Sequence, residues 1–202
     1  MRSVTPAKGK PAAPVAGLSE RAKSSLDALL RQAWAAAMRA DGDSVSTEVI
    51  ASLPPKMKEK HAVVLTIASY SARIVVAMYF KLDADTRAHF ERLNRADTGS
   101  FDEQRLVDAL NECGNICAGA LNRSLGDVFS HIGMSTPNLL SRDAMAYVEA
   151  LGPCHGRHFE LKGLAQPYWA SMYVRAYAPL DFHVDVPSED EAAADTGELE
   201  MF

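Results

Sequence analysis

Three cysteines in 202 residues are too few, and odd in number, for a disulfide framework. Cys113, Cys117 and Cys154 therefore read as reduced thiols, and the expected compartment is the cytoplasm. No apolar run approaches the roughly 20 residues that a membrane helix requires, so no membrane insertion is expected. The first residues are basic but lack an apolar h-region, which argues against a secretory leader. Lys and Arg number 21 against 26 Asp and Glu, a net charge of −5, and no basic stripe of the kind nucleic-acid binding needs is present. Ser–His–Asp and P-loop patterns are missing, as is the C-x₂-C spacing of zinc sites. No internal repeat is visible.

What is present is a chain that is 48% hydrophobic, enough for one domain with a proper core. Residues 1–18 are rich in Pro, Ala, Lys and Gly and read as a disordered arm; the first 24 residues carry five basic groups against Glu20. Residues 187–202 hold six carboxylates and no basic residue and read as a disordered acidic tail, whose Leu199, Met201 and Phe202 offer a docking peptide as a second reading. The span 19–186 is the predicted domain.

Within it, Ser19 or Ser25 caps a helix whose Leu26, Leu29, Leu30, Ala33, Trp34, Ala37 and Met38 keep helical spacing up to Asp41-Gly42-Asp43. A strand is expected over 45–53, and a hairpin from the β-rich runs 62–67 and 74–80 around a turn at 69–71. A helix over 83–93 follows, started by Asp83 or Asp85. After the long helix described next come a strand over 132–140, a short helix over 141–151, a polar turn over 153–158 and an antiparallel pair over 158–164 and 168–178. Trp34 and Trp169 are expected in the core. The order predicts an α+β domain, an antiparallel sheet packed on one face by long helices.

The chemistry sits on that long helix. Ser100 and Glu103 have the spacing of a capping box, and Gly126 is placed to stop the helix after Leu125. At 100° per residue, Leu106, Leu110, Cys113, Gly114, Cys117 and Leu121 fall on one side. Asp108, Glu112, Asn115, Gly119 and Asn122 fall on the other, within an arc of about 80°. A polar stripe is usually a solvated face. This one has no Lys or Arg placed four residues on to pair with its acids. It carries two Asn residues, which are mediocre helix formers, and Gly119, which weakens a helix interior by about 1 kcal/mol against Ala. A glycine there lets a partner's backbone approach closely. Cys113 and Cys117, with Cys154, His155 and His158, could in principle clamp a metal, but both helix cysteines lie on the apolar side, where a free Cys behaves as a small hydrophobe.

The E-x-x-N pair Glu112/Asn115, with Asp108 four residues before it and the small residues Ala118, Gly119 and Ala120 behind, resembles the signature helix of the CheC/CheX/FliY family of response-regulator phosphatases. The stretch 131–140, with Pro137, is similar to the strand that follows that helix, and 61–70 and 72–80 look like the family's strand pair. The resemblance spans 25–187 and is specific only over 108–140. CheC- and FliY-like members generally carry two such helices and this chain has one, which points to the CheX-like branch, whose members often dimerise.

The resemblance implies hydrolysis of the phospho-aspartate of a CheY-like receiver domain. Asn115 would orient the attacking water, Glu112 would engage the receiver's lysine and dock the helix, and Asp108, Gly119 and Asn122 would contact the partner. The chain itself would bind no metal or cofactor, Mg²⁺ being expected on the phosphorylated receiver. Such chemistry needs no nucleophile from this chain, since a carboxamide offers both a donor and an acceptor to a water and phosphoryl transfer depends mainly on positioning and electrostatics. The alternative is a non-catalytic receiver-binding, scaffold or dimerisation module on the same fold. A small-molecule sensor is weaker still, with no convergent pocket chemistry behind it.

Overall fold

The structure, a computed structural model, describes residues 17–186; the segments 1–16 and 187–202, which hold nearly all of the basic arm and the whole acidic tail, lie outside it. The elements are α1 (Glu20–Met38), β1 (Ser46–Ile50), β2 (His61–Ala68), β3 (Ala72–Phe80), α2 (Ala84–Leu93), α3 (Glu103–Gly126), β4 (Gly133–Met134), β5 (Asn138–Ser141), a 3-10 segment (Arg142–Leu151), β6 (His155–Lys162) and β7 (Tyr168–Ala176). The seven strands form one antiparallel sheet in the order β1-β6-β7-β3-β2-β4, with β5 also on the outer edge of β2.

Strand alternation divides the sheet. Val63, Leu65, Ile67, Ile74, Val76, Met78, Phe80, Met172 and Val174 point to one face and form the main core with α1 and α3. Ala62, Ala77 and Tyr79 point to the other, where Leu53, Met57, Met145 and Trp169 cover them. Trp34 is fully buried as expected, whereas Trp169 is only half-buried on this second face. The expected α+β arrangement, with both long helices on one face, is the arrangement found. Residues 180–186 form a strap beside α1: Leu18 bridges Leu180, and the Val184 amide donates to Ser25 Oγ at 3.1 Å.

Five local expectations are corrected. The cap of α3 is Asp102, not Ser100: Asp102 is extended and its carboxylate accepts from the Arg105 amide at 2.8 Å. Ser100 is instead held in a turn by its amide on the Asp97 carbonyl, and its hydroxyl is buried without a partner. Gly126 does not stop α3 in a left-handed conformation; it is the last helical residue, and the first positive φ after it is at His131. The strand expected over 132–140 is two pieces. Ile67 faces Met134 and Val64 faces Asn138, so one extra residue sits opposite β2 between them, a bulge at Ser135–Pro137 where proline has no amide to donate. The short helix at 142–151 has 3-10 geometry and ends on left-handed Gly152. The polar turn expected over 153–158 is mostly strand, because residues 155–158 pair with 171–174 of β7; Asp27 on α1 then takes His155 Nε2 at 3.0 Å and Arg157 Nε at 3.1 Å.

The height of α3 above the sheet is set by Gly114. A Cβ built there would lie 2.7 Å from Val63 Cγ1, 3.2 Å from Leu65 Cδ1 and 3.4 Å from Met78 Cε. On Gly119, by contrast, a Cβ meets only Arg123 Nη1 at 3.6 Å. Gly114→Ala is therefore expected to lower stability by about 1–2 kcal/mol, the overpacking cost exceeding the helix-propensity gain. Gly119→Ala is expected to raise it by about 0.5–1 kcal/mol. Urea unfolding of the two variants checks the pair; equal shifts of the same sign would contradict the close approach at Gly114.

Candidate functional site on the long helix

Two anchors orient α3. At its start, the Glu91 carboxylate on α2 accepts the amides of Gly99 and Phe101, both at 2.9 Å, and these hold its carboxyl below the usual carboxylate range. Along its length, Leu106, Leu110, Cys113, Gly114, Cys117, Ala118, Leu121 and Leu125 are buried against the sheet and α1. The opposite side faces solvent by helical geometry alone.

Asp108, Glu112 and Asn115 are exposed on that side. Asp108 accepts from Gln104 Nε2 at 2.8 Å, a contact within the helix. Among the described residues no cation lies within ion-pair distance of Asp108 or Glu112. The stripe changes character at its C-terminal end. Gly119 and Asn122 are half-buried, Arg123 lies beside Gly119, and Asn122 Oδ1 is enclosed without a hydrogen-bond partner. Asn111, one turn before Asn115, also has an enclosed, unpartnered Oδ1. The structure thus brings three of the five predicted site residues together in solvent and sets two partly into the surface.

Ile116 was not among the predicted site residues. It is 50% exposed, beside Asn115 and one turn beyond Glu112. Between it and α1 lies a cleft of about 170 Å³, lined by Ala36, Ala37, Leu93, Asn94, Ala109, Glu112, Cys113 and Ile116. The available signal was an isoleucine standing off the apolar side of its own helix, at about 80° from Asp108.

The two helix cysteines carry no exposed chemistry. Cys113 Sγ contacts Met38 Sδ at 3.5 Å, and burial pushes its thiol up to about 12; burial also raises that of Cys117. Among the described residues no cluster of three or more His, Cys, Asp or Glu side chains is arranged to hold a metal, and no helix is long and apolar enough to cross a membrane.

No protein-family model matches the sequence, and no curated protein does. Solved structures do match the fold. Chemotaxis protein CheX from Vibrio vulnificus aligns over 77% of this chain and 99% of its own, at 11% identity and a TM-score of 0.53. A chain of the CheX-CheY-BeF3-Mg²⁺ complex from Borrelia burgdorferi aligns over 77% and 98%, at 16% identity and a TM-score of 0.50. A chemotactic CheC-like protein from Shewanella oneidensis aligns over 76% and 97%, at 12% identity and 0.50. The chain has the α+β fold of these CheX and CheC-like proteins.

The buried thiols give a direct check on how the long helix sits. A thiol-specific disulfide reagent at pH 8 should label at most Cys154, the half-exposed one, in the native chain, and all three cysteines after denaturation. Rapid native labelling of all three would contradict the placement of α3.

Proposed function

We propose that this chain dephosphorylates the phospho-aspartate of a CheY-like receiver domain in chemotaxis or two-component signalling. The observation that carries the reading is an exposed carboxylate–carboxamide pair, Glu112 and Asn115, with no partner of opposite charge among the described residues, on a helix of a CheX-like fold. The chemistry asks little of the phosphatase. An acyl phosphate is already reactive, and Mg²⁺ on the receiver would neutralise the charge developing on the phosphoryl oxygens. Water attacks phosphorus, the bond from phosphorus to the aspartyl oxygen breaks, and the water's proton leaves with inorganic phosphate while the aspartate is released as a carboxylate.

Asn115 supplies placement. Its carboxamide oxygen accepts from the water and its NH₂ donates to a phosphoryl oxygen, holding the nucleophile in line. Glu112, about 60° round the helix from Asn115 and one turn before it, meets a basic group on the receiver, and Asp108 extends the acidic contact by a further turn. Gly119 and Asn122 lie lower on the same side and would touch the partner only at the rim. The protein would act in the cytoplasm, with its thiols reduced.

The test follows receiver phosphate over time with each variant. Asn115→Ala should bind the receiver with unchanged affinity and lose at least 10²-fold in rate at saturation, about 3 kcal/mol. Glu112→Lys should weaken binding and so lower the rate at limiting receiver. Turnover by Asn115→Ala at the wild-type rate would overturn the assignment of the water. Binding without any acceleration by the wild-type chain would favour the non-catalytic receiver-binding module.

A further inference from the structure

The cleft between α1, α2 and α3 borders Glu112, but its apolar walls take no part in the hydrolysis just described. We propose that it seats one apolar side chain, of Leu, Ile or Met size, from the receiver's surface, standing beside the basic group that pairs with Glu112 and Asp108. The inference rests on the proposed function and adds the shape of the partner's epitope to it.

Size comes first. A cleft of about 170 Å³ falls well short of the roughly 300–1,000 Å³ of small-molecule pockets and suits a single side chain. Its walls are mostly small and apolar residues: Ala36 and Ala37 from α1, Ala109 and Cys113 from α3, with Leu93 closing the α2 end. Asn94, the polar residue at that end, donates its Nδ2 to the Phe90 carbonyl at 2.8 Å. Ile116 forms the lip, half in water, whereas the leucines of the same helix are all buried. Small residues on facing helices leave such a gap where larger ones would have closed it.

Charge then selects the occupant. Glu112 lines the cleft and Asp108 stands one turn away, neither with a cation of this chain within ion-pair distance among the described residues. An apolar knob with a basic neighbour satisfies both features, the charge steering encounter and the knob holding the complex. Residues 187–202 of this chain hold apolar candidates in Leu199, Met201 and Phe202. Their net charge of −6 beside two carboxylates counts against them. A second copy would bring the same unpaired acids to the contact.

Two full-length variants test the cleft. Ala109→Leu fills it from a helical position that tolerates leucine, and Ile116→Asp places a charge on its lip. Circular dichroism and thermal unfolding first establish that both remain folded. Affinity is measured against beryllofluoride-activated receiver domains from the genome that encodes this chain, and the rate of phosphate loss at saturating receiver in parallel. The expected result is at least a tenfold weaker affinity in both variants, with the saturated rate within about twofold of wild type. Unchanged affinity in both, while the wild type binds and accelerates phosphate loss, overturns the cleft and leaves the proposed function standing. A wild-type chain that binds no receiver removes both. A tenfold gain in receiver affinity on Leu199→Ser with Phe202→Ser would assign the cleft to this chain's own segment. Dissociation of a wild-type dimer on Ile116→Asp, seen by sedimentation, would assign it to a second copy. Either outcome overturns the receiver as occupant.

Discussion

The closeness of α3 to β2 is the constraint on which the surface chemistry depends. At Gly114 the helix backbone lies so near Val63 and Leu65 that a methyl group does not fit without displacement. A helix seated on that point turns its small residue to the sheet. With Gly114, Cys113 and Cys117 against the sheet and α1, the 100° advance per residue leaves Asp108, Glu112 and Asn115 in solvent. The Asp102 cap and the Glu91 clamp on the preceding loop fix the axial position. Rigid placement of this kind is what a water-orienting side chain requires, since errors of about 1 Å in such geometry cost orders of magnitude in rate.

The rest of the architecture serves that ridge from behind. β2, β3 and β7 supply the flat apolar floor, and α1 fills the space beside α3 with alanines and leucines. Because α1 offers alanine at positions 36 and 37, the two helices do not seal along their whole length, and a gap opens next to Glu112. The same packing that buries the thiols of Cys113 and Cys117 thus shapes the ground on which a partner would stand.

Much of the fold was legible wherever a single helix or strand pair decided the outcome. The period of the long helix separated Leu106, Leu110, Cys113, Cys117 and Leu121 from Asp108, Glu112 and Asn115, and their burial divides in the same way. The hairpin of β2 and β3 followed from two β-rich runs and a serine turn. What escaped the sequence depended on distant partners. His155 and Arg157 read as turn residues because their strand pairing with β7 and their side-chain partner Asp27, 128 and 130 positions away, leave no local mark. The bulge at Ser135–Pro137 exists only relative to β2. The cap moved from Ser100 to Asp102 because Glu91 claims the amides on either side of Ser100. Ile116 could be placed off the apolar side, but the cleft beside it is assembled from three helices and has no signature in any one of them.

The central claim is that the ridge of Asp108, Glu112 and Asn115 is where a receiver domain docks. It is tested most directly by recording backbone amide spectra of the isotopically labelled full chain while an unlabelled, beryllofluoride-activated receiver is added. The account predicts saturable perturbation centred on residues 108–116 and on Ala36 and Leu93 across the cleft, reversed in sign of charge dependence by Glu112→Lys. Saturable binding that perturbs the opposite face of the sheet around Tyr79 and Trp169, with the ridge unchanged, would contradict it.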